Sequence, residues 1–461
     1  MTIWQPDLAN IPGPRYRAIA EALAADLRDG RLRPGDRLPT HRDLAWRLKV
    51  TVGTVSRAYA EAERRGLIDG EVGRGTFIRE PAPPISAALP AGAAREASVI
   101  NMAIAQPMPG EEAELLAATL SEISASPGID ELLRYQPHIG RPADRAAGAR
   151  WLAQGGIPAE ADRVVVTCGG QHSLAVTLSG LVEPGDIVAT ESMTYPGFKA
   201  AAQMRHLKVE GIAVDHEGIL PDAFAAACRA MPIRLLYVTP NLNNPLAGIL
   251  SSERRRAIAE IARRHEVLIV EDDVYGFLVD RPASFAALAP ERTWHITSLS
   301  KSAAPGLRLG YILTPPDRTD KLAMAIRSSI WMAPPLLAEI ATRWIEGGQA
   351  ERLAAAKRRA ATERQALVRA VFGNACANPA SAYHFWLPLP ESWRAAEFTA
   401  AALARGVAVT PGAAFAIGRV PPLNGVRICL SAPAENAEVE RGLKLLAQLL
   451  AEDADPLLAV I

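Results

Sequence analysis

A lysine flanked by serines, Ser298-Leu299-Ser300-Lys301, stands behind an apolar run and is followed by Pro305-Gly306-Leu307-Arg308. A lysine amine that sheds its charge can attack a carbonyl carbon and form a Schiff base. Alone, a lysine in such a setting is most often a surface residue. Three further polar clusters, each behind an apolar or β-branched run, shift that weighting. Cys168-Gly169-Gly170-Gln171 follows Val164-Val165-Val166-Thr167, and a glycine turn that opens a helix offers backbone N–H groups and a positive dipole end to an anion. Pro240-Asn241-Leu242-Asn243-Asn244-Pro245 follows the run from Leu235 to Thr239, and Glu271-Asp272-Asp273-Val274-Tyr275 follows Val267 to Val270. Carboxylates behind a buried strand need a partner. A Schiff-base lysine, an acid for a pyridinium nitrogen, a donor for a phenolic oxygen and an anion cradle are together what pyridoxal 5'-phosphate requires.

Residues so far apart in the chain meet only if the elements between them form a sheet with its loops gathered at one end. Short β-branched runs, among them Asp186-Ile187-Val188-Ala189 and Arg308 to Leu313, alternate with amphipathic stretches. That alternation predicts an α/β domain over 99–461 with a mostly parallel sheet covered on both faces. In such sheets ligand groups collect at the carboxyl ends of the strands. From about residue 346 an alanine-rich basic helix opens a smaller α+β C-terminal lobe, 346–461.

Ahead of this lies a separate module over 11–79, and 80–98, EPAPPISAALPAGAAREAS, reads as a linker because four prolines and many small residues replace periodic patterning. Tyr16, Ile19, Leu23 and Leu27 sit at helical spacing between Arg15 and Arg28. Thr40, with Asp43 in the box position, caps a second helix, and Thr51 caps a third that carries Val52, Val55, Ala58, Tyr59 and Ala62. Two short helices joined at Lys49-Val50 make a helix-turn-helix, and the segment from Leu67 to Ile78 folds around a glycine turn as a wing. Arg42, Thr51, Thr54, Ser56, Arg57 and the wing residue Arg74 are placed to face double-stranded DNA. Solvated faces of a small helical domain would read much the same.

The segment LRPGDRLPTHRDLAWRLKVTVGTVSRAYAEAERRGLIDGEVGRGTFI resembles the winged helix-turn-helix of GntR-type bacterial regulators, with Val52 where many relatives carry a polar or basic residue. From Ile100 onward the chain resembles class I aminotransferases of fold type I, at VVVTCGGQ, ESMTYPG, TPNLNNP, VEDDVYG, SLSKSAAPGLRLGY and VRICLS. The order of the two parts resembles the MocR subfamily of GntR-type regulators. The resemblance implies that Lys301 forms the internal aldimine of pyridoxal phosphate and that Asp272 pairs with its pyridine nitrogen. Asn244 and Tyr275 would hydrogen-bond the 3′-oxygen, and Tyr195 would stack on the ring. Gly170, Gln171, Ser298 and Arg308 would hold the phosphate, with Tyr135 reaching it from a second subunit of a homodimer. Arg427 would grip the carboxylate of an effector. Two departures from the pattern are the extra residue in Asn244-Pro245-Leu246-Ala247-Gly248 and Ala382-Tyr383 in place of a glycine pair.

Composition narrows the classes. Lys+Arg 50 balances Asp+Glu 50, so no global field draws in nucleic acid or anionic lipid. Residues 1–80 carry 14 basic and 11 acidic side chains, which leaves a net −3 on the rest; any nucleic-acid face belongs to the N-terminal module. Cys168, Cys228, Cys376 and Cys429 form no paired motif, and His138, His172 and His384 have no ligand spacing, so neither a disulfide framework nor a metal site is expected. His138, His172 and His384 read as ordinary polar residues. No export signal or 18-residue apolar run is present, and a soluble cytoplasmic protein is expected. The preferred reading is a transcription regulator whose effector domain binds pyridoxal phosphate and senses an amino acid or amine through aldimine exchange at Lys301. A working aminotransferase with a DNA-binding appendage remains the alternative.

Overall fold

The computed structural model describes residues 4–6, 8, 13–33, 36–65, 67–71, 75–78, 99–373, 379–418 and 423–452. The chain divides into two compact units, Met1–Pro84 and Ile85–Ile461. The linker expected over 80–98 and Arg74 at the wing tip lie outside the described residues.

In the first unit the apolar spacing produces three helices, α1 (Arg15–Arg28), α2 (His41–Leu48) and α3 (Val52–Arg64). Their starts follow from side-chain chemistry: Thr40 accepts a hydrogen bond from the Asp43 N–H at 3.2 Å, and Thr51 accepts from the Thr54 N–H at 3.1 Å. Between α2 and α3 the chain reverses at Lys49, whose backbone is left-handed at φ 52°. Ile19 and Leu23 of α1, Leu44 of α2 and Val55, Ala58 and Ala62 of α3 are fully buried against one another. Each of the Ile, Leu and Val side chains among them contributes about 1.5–3 kcal/mol. Strands β1 (Ile68–Glu71) and β2 (Gly75–Ile78) pair antiparallel, Ile68 opposite Ile78, and β2 is tied back to the helices through Leu38 N–H donating to Thr76 O.

The second unit is built on a seven-stranded sheet. After the short β3 (Ile100–Asn101) come β4 (Val164–Thr167), β5 (Ile187–Glu191), β6 (Lys208–Ile212), β7 (Ile233–Val238), β8 (Leu268–Asp272), β9 (Thr293–Ser298) and β10 (Gly310–Leu313). They lie in the order β4-β10-β9-β8-β7-β5-β6, parallel except for β10, which runs antiparallel to both β4 and β9. The exception has a length cause: only residues 299–309 join β9 to β10, and a parallel crossover needs roughly a dozen residues or more. Because β10 is reversed, its first residue Gly310 lies level with Ser298 and Thr167, the carboxyl ends of β9 and β4. The residues just ahead of β10 therefore join the strand-end loops.

A 24-residue helix, Gln349–Phe372, leads into the smaller lobe. There β11 (His384–Pro388), β14 (Gly425–Cys429) and β13 (Thr410–Pro411) form an antiparallel sheet, while β12 (Val407–Ala408) pairs parallel with β3. The helix Asn436–Ala451 covers this sheet with Val439, Leu443, Leu446 and Leu449.

Candidate functional site

Lys301 sits in the single turn Leu299–Ser302 directly after β9, where the sheet ends and the smaller lobe approaches. Its Nζ donates to the Ala105 carbonyl, and the Tyr383 hydroxyl of the small lobe donates to the Lys301 carbonyl at 3.0 Å. Desolvation, helped by the nearby guanidiniums of Arg427 and Arg308, brings the Lys301 amine down to about 8. Near neutral pH a far larger share of it is therefore the neutral nucleophile than of an ordinary lysine.

Asp272 ends β8 and is buried. It accepts from the Tyr237 hydroxyl at 2.8 Å and weakly from the Val274 N–H at 3.4 Å. No ion pair reaches it among the described residues, and burial raises its carboxyl to about 6. A buried carboxylate with one good donor and no cation suits a protonated ring nitrogen.

The anion cradle assembles where β4, β9 and the loop before β10 meet. Gly169, at φ 82°, turns the chain into the helix Gly170–Leu181, and a Cβ there would stand 2.9 Å from Arg308 Nη2. Arg308 donates to Ser300 Oγ at 3.1 Å and to the Cys168 carbonyl at 3.3 Å. Ser298 Oγ accepts from the Ser300 N–H and donates to Leu309 O. The Gln171 amide is turned instead to the Gly197 carbonyl at 3.0 Å, next to Tyr195. Tyr195 precedes the helix Pro196–Met204, and its hydroxyl is held protonated by desolvation and by the Asp272 charge.

Arg427 on β14 joins the small lobe to the site. One Nη donates to Asn244 Oδ1 at 2.9 Å; the other donates to Ala103 O and, at 3.4 Å, to Thr410 Oγ1. Its guanidinium carbon lies 4.8 Å from the centroid of the Phe415 ring, and its Nε is buried without a hydrogen-bond partner. An unsatisfied buried N–H is costly, and a carboxylate oxygen would satisfy it. Tyr275 is buried with its ring 6.0 Å from that of Tyr383 and 5.7 Å from that of His384, and desolvation pushes its hydroxyl well up.

The fold thus gathers Gly170, Ser298, Lys301, Arg308, Asp272, Tyr195, Asn244, Tyr275 and Arg427 from strand ends and the small lobe. Tyr135 stands apart: it is 82% exposed, with its ring 5.7 Å from that of Trp331. Reading the sequence missed Ser300, which receives Arg308, and Tyr383, which holds the lysine turn. His384 is not an ordinary polar residue. It is buried, burial brings its imidazole down to about 3, and its Nε2 faces Asn243 O at 3.0 Å. A histidine opening an otherwise apolar strand, HFWLP, was the signal available.

In the first unit Arg42 and Arg57 are exposed near the starts of α2 and α3, as is Val52, while Ser56 is half-buried. Thr51 and Thr54 bond each other at 2.9 Å through their hydroxyls, so both are engaged in the cap of α3.

The profile of the bacterial regulatory proteins of the gntR family matches residues 15–78, and that of aminotransferase class I and II matches residues 97–446. The uncharacterized HTH-type transcriptional regulator YdeF of Bacillus subtilis (strain 168) is 32% identical, over 97% of this chain and 96% of its own. The HTH-type transcriptional regulator TauR of Rhodobacter capsulatus is 27% identical, over 87% of this chain and 90% of its own. Among solved structures, an archaeal alanine:glyoxylate aminotransferase superposes with TM-score 0.72 at 25% identity, covering 78% of this chain and 92% of its own. The kynurenine aminotransferase of Pyrococcus horikoshii gives TM-score 0.72 at 24% identity over 78% and 92% of the two chains, a likeness of fold. No helix among the described residues is long and apolar enough to cross a membrane.

Proposed function

We infer a function from the family to which this chain belongs, the GntR-type transcriptional regulators of MocR architecture, in which a helix-turn-helix domain is joined to an aminotransferase class I and II domain. The first unit binds operator DNA. The second binds pyridoxal 5'-phosphate and responds to an amino acid or amine that takes the place of the Lys301 amine. Bound there, pyridoxal phosphate supplies an aldehyde carbon with which amines condense reversibly.

The residues divide the work by chemistry. Gly170 at the helix N-terminus, the backbone of Gln171, Ser298 and Arg308 would hold a phosphate; Asp272 would keep a proton on a ring nitrogen; Asn244 and Tyr275 would hydrogen-bond a ring oxygen; Tyr195 would cover the ring. Lys301, lowered to about 8, would be neutral often enough to act as a nucleophile and basic enough to carry a proton. Arg427 would fix a carboxylate, its buried Nε having no hydrogen-bond partner among the described residues. The observation that carries this reading is that a desolvated Lys301 amine and a buried Asp272 carboxylate with no ion pair among the described residues stand at the ends of neighbouring strands in a chain whose residues 15–78 match the GntR family.

Purified protein reduced with borohydride should carry one pyridoxyl group, and peptide mapping should place it on Lys301. Lys301→Ala should keep binding to DNA from upstream of its own gene and lose every amine-induced change in that binding. Mapping of the group to another lysine, or an amine response that survives in Lys301→Ala, overturns the assignment.

A further inference from the structure

A single helical turn cannot satisfy its own carbonyls. Lys301 lies in such a turn, Leu299–Ser302. In a longer helix its carbonyl would accept from the residue four positions on, but that residue is Pro305, which has no N–H to give. The Tyr383 hydroxyl supplies a donor instead, 3.0 Å from the Lys301 oxygen. Tyr383 belongs to the small lobe and is only 1% exposed. Burial pushes its hydroxyl well up, so it keeps its proton across the neutral range and remains a donor.

Further contacts fix the phenol itself. The Tyr383 carbonyl accepts from the Leu430 N–H at 2.8 Å, one residue beyond β14. Beside it, the Ala382 carbonyl accepts from the Gln365 amide at 2.8 Å. Ser381 donates through Oγ to Leu278 O, which closes the short turn Gly276–Leu278 that follows Tyr275. The Tyr383 ring stands edge-on to Tyr275, with centroids 6.0 Å apart and planes at 75°, and edge-on to Phe277 at 6.0 Å and 78°. Edge-to-face pairs at this separation are favourable. A ring held by two aromatic neighbours and by its own backbone has one place for its oxygen, and that place is the lysine turn.

We propose that Tyr383 is a positioning residue for Lys301: its hydroxyl sets the lysine turn, and with it the place from which the amine reaches a cofactor ring held at Asp272. The inference rests on the pyridoxal phosphate reading above. Because the backbone of Tyr383 hangs from Leu430, the strand that carries Arg427 and the turn that carries Lys301 are joined through this one side chain.

The test compares two forms of the cofactor. Pyridoxal phosphate can condense with the Lys301 amine, a C=N bond forming as the aldehyde oxygen leaves in water with both amine protons. Pyridoxamine phosphate has the same ring and phosphate, carries an amine where the aldehyde was, and cannot. Tyr383→Phe removes one oxygen and keeps the ring. In calorimetric titrations of the cofactor-free full chain, the variant should bind pyridoxal phosphate about tenfold more weakly, the scale of one orphaned carbonyl, and pyridoxamine phosphate as tightly as wild type. Hydrogen exchange without cofactor gives a second readout: amides of 299–304 should exchange about tenfold faster in Tyr383→Phe, while those of the helix Asn436–Ala451 keep their rate. The proposal is overturned by an unchanged pyridoxal phosphate affinity, by equal losses for the two forms, or by unchanged exchange over 299–304. Failure of wild type to bind either form overturns the pyridoxal phosphate reading, while the exchange experiment still decides whether Tyr383 holds the turn.

Discussion

Asp272 is costly to the protein that holds it, and the cost can be measured. Burial raises its carboxyl from 3.8 to about 6, a shift worth about 3 kcal/mol at about 1.4 kcal/mol per unit. Since the raised value favours the protonated form in the folded state, the contribution is fully present below about pH 4 and lost as the pH rises through 6. At pH 8 the cofactor-free protein therefore carries the whole penalty; at pH 5 it carries about half. Asp272→Asn removes the charge and keeps an oxygen to accept from Tyr237 at the 2.8 Å separation seen here. Its new N–H₂ group lacks an acceptor and displaces the Val274 N–H, a loss of about 1 kcal/mol. The net expectation for cofactor-free protein at pH 8 is a gain of about 2 kcal/mol, or roughly 2–3 °C in the melting of the larger unit, shrinking to near zero at pH 5. With pyridoxal phosphate added the order should reverse, because only the wild type can pair a ring cation. Differential scanning calorimetry at the two pH values, with and without cofactor, reads all four quantities. A variant less stable than wild type at pH 8 without cofactor, or a difference that does not move with pH, would refute the reasoning.

Three other outcomes follow from named contacts. Arg42→Ala with Arg57→Ala, both at exposed positions, should lower the slope of log affinity against log salt for upstream DNA by about two units and leave the cofactor spectrum alone; an unchanged slope would assign the module another partner. Arg427→Ala should cost amino acids about 2–5 kcal/mol in spectral titrations while propylamine, which has no carboxylate, changes little; equal losses for both would make Arg427 a support for Asn244 and nothing more. Sedimentation should find a dimer when cofactor is bound, and Tyr135→Ala should weaken phosphate-dependent cofactor affinity; a cofactor-bound monomer at micromolar concentration would remove Tyr135 from the site.

The helix-turn-helix was legible because its signals are local. Thr40 and Thr51 cap where the sequence places caps, and the apolar spacing of α1 and α3 needs no distant partner to be read. The strands were legible as β-branched runs, and the polar residues behind them marked the carboxyl ends. The reversal of β10 was not read, although the short connection from Ser298 to Gly310 carried the information: a link that short cannot cross back over the sheet. Tyr383 and His384 escaped because their importance is tertiary. One donates to the carbonyl of Lys301 and the other faces Asn243 O, contacts spanning the sheet and the small lobe.

The three consecutive acids Glu271 and Asp272 of β8 and Asp273 just after it show what pattern alone cannot supply. In the sequence Glu271, Asp272 and Asp273 are one acidic run after a buried strand, and any of them could be the acid for a ring nitrogen. The pleat separates them. Glu271 is held on one face by His295 Nδ1 at 3.0 Å and by two backbone N–H groups from Phe285 and Ala286 at 3.1 Å, and Asp273 on the same face pairs with Arg281 and accepts from Asn241. Asp272, alone on the other face, receives a phenol and, among the described residues, no cation. The chain thus pairs the two carboxylates it keeps for itself and leaves unpaired the one that faces Lys301. A helix-turn-helix regulator needs no such buried charge to fold, so on the proposed reading the unpaired carboxylate is the part of the larger unit whose stability would depend on a cation bound beside it.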